Sequence, residues 1–343
     1  MRFKERNRSV RPALAMAALA LSLAASLGAA RADDKTYVMK ISLAAINDPL
    51  HQFAKDFAAA LEKDSGGRIK PEIYPASQLG SIPRQIEGVQ FGAIQCVITP
   101  PEFYVGIDER FEVMAVPGLV SSMEHGQRLS GDPEVRKVML GLGAEKGLHG
   151  VALFMSTPSA IVAKAPFRHL ADLKGKKLRT IASQFQTEAF GRLGVTAVAM
   201  SLGDVLPALQ QGAIDGAVAG TNIFTAMHYQ DAGKYVTEIG QPAIFGMAEV
   251  SKKWYDALPP DLQQLVDKDA ADAVQAVNPE AIAIDDKARK GWTDGGGELI
   301  ALPAEELAEM IKTMASAGAD VSKNKPAVAA AYKVVTDAAA RTK

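Results

Sequence analysis

Two stretches decide the fold: Ala171-Asp172-Leu173-Lys174-Gly175-Lys176-Lys177-Leu178-Arg179 and, further on, Pro207-Ala208-Leu209-Gln210-Gln211-Gly212-Ala213-Ile214-Asp215-Gly216. Lys177 to Ile181 reads as a strand closed by a single arginine. Ser183 and Gln186 then form an S-x-x-Q capping box for a helix over 184–193. A strand near 195–199 follows. Ser201-Leu202-Gly203-Asp204 gives a second cap, S-x-x-D, and Leu202, Val205, Leu206 and Leu209 mark the inner face of a helix over 202–211. Gly212 stops it, and 213–219 is the next strand. Strand and helix alternate throughout, which predicts a mostly parallel sheet with helices on both faces.

The same rhythm extends outward. Residues 37–43 alternate as a strand, and Leu50, Phe53, Phe57, Ala58 and Leu61 give helical spacing up to Gly66-Gly67. A strand is expected over 69–74, a helix over 82–91 ended by Gly92, and a strand over 93–99. Further strands are expected over 151–155, 234–239 and 243–250. A helix is expected from about Asp261 to Lys290, bent near Pro279 because proline removes a backbone donor. The alanine-rich stretch 327–340 reads as a terminal helix.

The N-terminus reads as a secretory leader. Arg2, Lys4, Arg6, Arg8 and Arg11 precede an apolar run over 13–30, and Ala30-Arg31-Ala32 supplies an A-x-A cleavage site. Cleavage is expected after about Ala32, and the expected location is the periplasm. The leader holds six of the 38 Lys and Arg and one of the 39 Asp and Glu, so the mature chain has 32 basic and 38 acidic residues and a net charge of −6. No basic stripe points to nucleic acid. Cys96 is the only cysteine, so no intramolecular disulfide can form, and the exported chain must rest on its core. Cys96 itself reads as a small buried hydrophobe. The five histidines are scattered singly, and no metal site or cofactor is expected.

An arginine at a strand end suits a carboxylate removed from water, because its planar fork donates two parallel hydrogen bonds. The amides and dipole of the following helix would favour an anion beside Arg179. The plain alternative is a surface arginine paired with a neighbouring aspartate.

The order of motifs resembles the substrate-binding subunits of tripartite ATP-independent periplasmic (TRAP) transporters, of the dicarboxylate-binding DctP type. The resemblance rests on the two stretches quoted above. It also rests on Ser65-Gly66-Gly67-Arg68-Ile69, Tyr74-Pro75-Ala76-Ser77-Gln78-Leu79-Gly80, the helix end Gln85 to Ile94, and Trp254-Tyr255-Asp256-Ala257-Leu258-Pro259. It implies an α/β fold of two lobes closing like a clamshell, with a long helix spanning both. The implied division is 33–156 plus 245–284 for one lobe and 157–244 plus 285–343 for the other. It further implies a monomer that carries a small-molecule carboxylate to membrane permease subunits, and that is not an enzyme.

In the family the arginine at the Arg179 position grips the ligand. The family's DGxEn element is here Asp215-Gly216-Ala217-Val218-Ala219, without its glutamate, and Asn222 stands three positions late as a candidate contact. The second arginine of sialic-acid members falls at Ser159. The first-lobe pocket glutamate falls near Pro100-Pro101. The resemblance also places Phe103, Tyr104, Phe154, Phe185 and Phe245 at the pocket walls, and His51 at a turn facing the cleft. Each of these aromatics taken singly reads equally as core. Together they favour a monocarboxylate or an aromatic acid over a sugar acid. Two other functions share parts of this pattern: a ligand-sensing module for a receptor, which would close by the same chemistry, and an exported hydrolase. The sequence has no G-x-S-x-G, H-E-x-x-H or P-loop to support the latter.

Overall fold

The computed structural model describes Met1, residues 35–181 and residues 183–343; apart from Met1, the expected leader lies outside them. Eleven strands are found among the described residues, and they form two separate sheets. The first holds β1 (Tyr37–Ser42), β2 (Ile69–Tyr74), β3 (Cys96–Thr99), β4 (Leu148–Thr157) and β10 (Ile244–Ser251), in the order β2-β1-β3-β10-β4. The second holds β5 (Ala160–Ala163), β6 (Lys177–Thr180), β7 (Thr196–Ala199), β8 (Gly216–Ala219), β9 (Tyr235–Glu238) and β11 (Glu298–Ala301), in the order β11-β9-β5-β8-β6-β7. The fold is α/β and two-lobed.

Both sheets are mixed, not purely parallel. β10 runs antiparallel to β3 and β4, and β5 runs antiparallel to β8 and β9. The reason is connectivity. β4 passes directly into β5, and β9 passes into β10, so the chain crosses between the sheets twice on extended strands. Each crossing strand enters the next sheet against the direction set by the βα units. Local alternation could not show this, because β5 is a four-residue apolar stretch with no polar partner positions.

Along β5 the side chains alternate between two cores, as a pleat requires. Ile161 joins Leu178, Phe190, Met310 and Met314 on one face. Val162 joins Leu209, Phe224, Val236 and Trp292 on the other. The first sheet has its own core, around Val97, Phe111, Met139 and Leu153. The last helix, Pro326–Arg341, adds Val328, Ala331 and Val335 to that first core. The expected grouping of 326–343 with the second lobe is therefore corrected. An alanine-rich face fits closely against the first lobe's helices, and position in the sequence says nothing about that.

A 35-residue helix, Pro260–Asp294, packs against the helix Pro49–Asp64 and β4 at one end and against Thr221–Ala226 and β11 at the other, so it spans both lobes. It continues through Pro279 without a break. Its buried positions include Leu262, Val266, Ala270, Val277, Ala281 and Trp292, a stripe that runs along its whole length. Packing at both ends outweighs the one backbone bond the proline removes.

The two crossings are tied together by Ser159. Its carbonyl accepts from Ile239 N at 3.3 Å and Gly240 N at 2.8 Å, and its hydroxyl donates to the Pro242 carbonyl. The peptide Gln241–Pro242 is cis.

Where β10 lies against β4, a Cβ on Gly246 would fall 2.5 Å from Phe154 Cζ. Phe154 is fully buried and stacked on Phe53 at 4.8 Å, so it has no room to yield. Gly246→Ala is expected to destabilise the protein by roughly 1–3 kcal/mol, the usual cost of overpacking. Chemical denaturation checks this; a neutral result would mean that the packing around Phe154 and Phe53 is loose.

Candidate functional site

The two sheets point the C-terminal ends of their parallel strands at each other, the position where open α/β sheets bind ligands. Between them lies a cavity of ≈ 60 Å³. Ala44 and Ala45 follow β1, Thr99 ends β3, and Ser156 and Thr157 end β4; all face it from the first sheet. Arg179 near the end of β6, Ile181 just past it and Ala219 at the end of β8 face it from the second.

Arg179 is 2% exposed. Its Nε and Nη2 donate to the Met200 carbonyl at 3.1 and 2.9 Å, and its Nη1 donates to the Val218 carbonyl at 2.9 Å. Met200 directly follows β7 and Val218 lies in β8, the two strands that flank β6. The guanidinium is thus pinned between both neighbours of its own strand. These three bonds leave one N–H on each terminal nitrogen without a protein partner. Among the described residues no carboxylate lies within ion-pair distance of it. Burial pulls its pKa down to about 10, partly opposed by the nearby Tyr229, so it is cationic at neutral pH.

The helix after β6, Gln184–Arg192, was expected to offer its N-terminus to the same anion. Instead the N-terminus holds the protein's own carboxylate. Glu112, fully buried and in the first lobe, accepts from Gln184 N at 2.6 Å and from Ser183 Oγ at 3.2 Å. Ser183 does cap the helix by accepting from Gln186 N at 3.3 Å, but Gln186 Oε1 accepts from Ile181 N and so does not return to the cap. The S-x-x-D element is weaker still: Ser201 makes no side-chain bond to its helix.

Of the residues singled out from sequence, Arg179 and Phe103 line the same cavity. Phe185 and Phe245 do not. Both are fully buried in the first lobe's core, with Phe185 stacked against Tyr332 at 6.0 Å. Phe154 and Tyr104 are core residues too. The expected aromatic wall is therefore replaced by an aliphatic one, with Leu50, Ile82 and Ile98 on one side and Ile181, Leu202 and Ile223 on the other.

Asn222 borders an adjacent cleft, with Lys55 and Lys287; its Oδ1 accepts from Ile223 N at 2.8 Å and its Nδ2 is buried without a partner. Ser159 faces a different hollow, of ≈ 560 Å³. His51 does not line the cavity. It is half-buried, and its Nδ1 accepts from Asn47 N at 3.1 Å.

The turn that carries His51 does reach the cavity, through Asp48. Asp48 is 2% exposed and lines both the Arg179 cavity and the adjacent cleft. It caps the helix Pro49–Asp64 by accepting from His51 N at 2.9 Å. Burial raises its carboxyl to about 6, against the pull of that backbone bond. An aspartate before a proline at the start of a helix is a cap signal legible in the sequence, but its second role was not.

The position of the family's first-lobe glutamate, near Pro100-Pro101, brings no glutamate to the cavity. Pro100 lines it, while Glu102 is fully buried with both oxygens unpartnered and its carboxyl pushed up to about 8 by burial. Glu249 on β10 is buried in the same way, and burial holds it well above the usual carboxylate range. Cys96 is fully buried, and burial pushes its thiol up, as befits a core residue.

Residues 42–324 match the family described as bacterial extracellular solute-binding protein, family 7, and the chain belongs to it. It is similar to the C4-dicarboxylate-binding periplasmic protein DctP of Rhodobacter capsulatus, at 28% identity over 85% of this chain and 87% of that protein. The fold matches a TRAP periplasmic solute-binding protein from Desulfovibrio salexigens, solved with bound orotic acid, at a TM-score of 0.85 and 22% identity over 90% of this chain and all of the other. It also matches the sugar acid binding protein DctPAm of Advenella mimigardefordensis, solved with galactonate, at a TM-score of 0.84 and 22% identity over 91% of this chain and all of the other.

Asp48 gives a signed pH prediction. Its folded pKa of about 6 lies above the unfolded value of 3.8, so the native state holds the proton more tightly. Stability from this group is therefore full below pH 3.8 and is lost as pH rises through about 6. Asp48→Asn keeps a good helix cap and removes the titration. Without ligand, the variant is expected to be more stable than the parent at pH 8 by roughly 1–3 kcal/mol, and equal to it at pH 3.5. Calorimetric melts at the two pH values check this; a less stable variant at pH 8 would show that the charged carboxylate is favoured in place.

Proposed function

We propose that the protein is an exported carrier that closes two lobes on an organic acid, holds its carboxylate on Arg179, and delivers it to the membrane subunits of a TRAP-type secondary transporter. The observation that carries this reading is a buried guanidinium with no counter-ion among the described residues. A buried charge is costly unless paired, and Arg179 has only backbone carbonyls, which orient it without neutralising it. A ligand carboxylate would complete it through the two unused N–H groups. Membership of a solute-binding family, and the organic acids bound in the solved relatives, support the same class of ligand.

In this reading the leader is removed after about Ala32 and the mature carrier is a monomer. The first lobe takes residues 33–156 and 245–284 together with the last helix. The second takes 157–244 and the chain from 285 to about 325. Ligand contacts from both lobes favour the closed state, since a ligand with equal affinity for open and closed forms shifts nothing. Saturable binding without turnover distinguishes this carrier from a hydrolase, and co-purification with a permease distinguishes it from a sensor module.

Native mass spectrometry of freshly purified protein is expected to reveal a bound organic acid. Arg179→Lys keeps the charge but loses the fork. Losing a charge-assisted hydrogen bond costs about 1.5–3 kcal/mol, so affinity for that acid is expected to fall at least about tenfold. Calorimetric titration of parent and variant reads this directly, and an unchanged affinity would remove Arg179 from the site.

A further inference from the structure

We infer that the cavity selects short aliphatic acids bearing one carboxylate, and that Asp48 is the residue that turns a second carboxylate away. This rests on the reading of Arg179 as the carboxylate anchor and adds the ligand's remaining chemistry.

The lining is asymmetric in charge. Arg179 is its one basic side chain, and Asp48 is its one acidic side chain. Within this lining a dicarboxylate anchored on Arg179 finds no second cation for its other charge, which must lie against the mostly aliphatic wall or beside Asp48. The first choice strips a carboxylate of water without a partner. The second adds like-charge repulsion at a group whose own ionisation burial already opposes.

The remaining polar capacity is small. Thr157 Oγ1 is already engaged with Asp285 Oδ1 and the Pro158 carbonyl, both at 3.2 Å. Asp48 Oδ1 accepts from His51 N. Thr99 Oγ1 is buried and unpartnered, and Ser156 also faces the cavity, so the lining can meet one or two hydroxyl or oxo groups next to the carboxylate. A sugar acid would bring several hydroxyls to a wall of Leu50, Ile82, Ile98, Ile181, Leu202 and Ile223, where most would find no partner. Size points the same way: the cavity is small, ≈ 60 Å³, which favours a short chain over a six-carbon ring.

The test uses 3-methylbutanoate, succinate and galacturonate as probes, titrated calorimetrically against the full mature chain. The parent protein is expected to bind 3-methylbutanoate at least about tenfold more tightly than succinate, a difference of about 1.4 kcal/mol, and galacturonate more weakly still. Asp48→Asn is expected to reduce the preference over succinate to roughly threefold by strengthening succinate binding, which corresponds to a gain of about 0.7 kcal/mol. Its circular dichroism and melting curve confirm that it is folded. A second variant, Thr99→Val, whose fold is checked in the same way, is expected to weaken 2-hydroxy-3-methylbutanoate more than 3-methylbutanoate. Succinate or galacturonate binding to the parent as tightly as 3-methylbutanoate would overturn the inference, as would a preference unchanged by Asp48→Asn. If succinate wins and Arg179→Lys abolishes its binding, the anchor stands and this inference alone falls. If none of the three acids binds, both fall.

Discussion

The guanidinium of Arg179, buried between two strands with carbonyls for partners and no carboxylate beside it, sets the terms for the second lobe. A cation can be held in that position only if its neighbours fix it. β7 and β8 do so from either side, through Met200 and Val218. That requires β6 to be an interior strand and both neighbours to end at the same level, which the parallel registers Arg179↔Val198 and Arg179↔Ala217 provide. The βαβ order over 177–219 therefore serves to bring three strand ends around one charge. Backbone carbonyls are well suited to this task. They satisfy the donors without cancelling the charge, so the site keeps its attraction for an anion.

The helix behind Arg179 shows how the protein limits that attraction. Its N-terminal amides are a ready anion site, and Glu112 of the first lobe fills it. Lys325 stands 3.2 Å from Glu109 and 4.0 Å from Glu112, balancing the buried carboxylate from outside. The anion specificity left to the cavity is thus narrowed to one fork. The same contact joins the first lobe to the start of a second-lobe helix, so the helix dipole serves lobe association in place of ligand capture.

Much of this was legible in the sequence, for reasons that differ by residue. Helices such as 49–64 and 82–91 follow from periodicity and from their proline and glycine punctuation. Arg179 was legible because its motif is local: strand, arginine, capped helix. The aromatic wall was not, because a phenylalanine's burial carries no address. Phe185 and Phe245 are as apolar in the first core as they would be on a pocket wall, and only the third dimension separates the two. His51 and Asp48 illustrate a finer limit. The turn was found, but the side chain that faces the cavity is the cap itself, whose structural duty hid its second one. β5 and the last helix failed for topological reasons. Both are apolar stretches whose partners lie far away in the chain, and no local pattern names a distant partner.

The cavity and the hinge are not independent parts. Thr157 ends β4 on the cavity wall and also donates to Asp285 on the long helix. Two residues on, the Ser159 carbonyl binds the returning strand through Ile239 N and Gly240 N. A displacement of the wall at Thr157 is therefore felt by three of the chain segments that pass between the lobes: the outgoing strand, the returning strand and the 35-residue helix. Gly220, at the end of the second lobe's β8, tightens this further. A Cβ there would lie 2.4 Å from Thr157 Cγ2, so the end of β8 lies close against the end of β4. Close-packed contacts of this kind transmit displacement with little loss. In the proposed carrier, a ligand seated between Arg179 and Thr99 would act on the same strand end that the crossings are built from. Lobe closure and ligand capture would then follow from one set of contacts, with no separate relay between site and crossing strands.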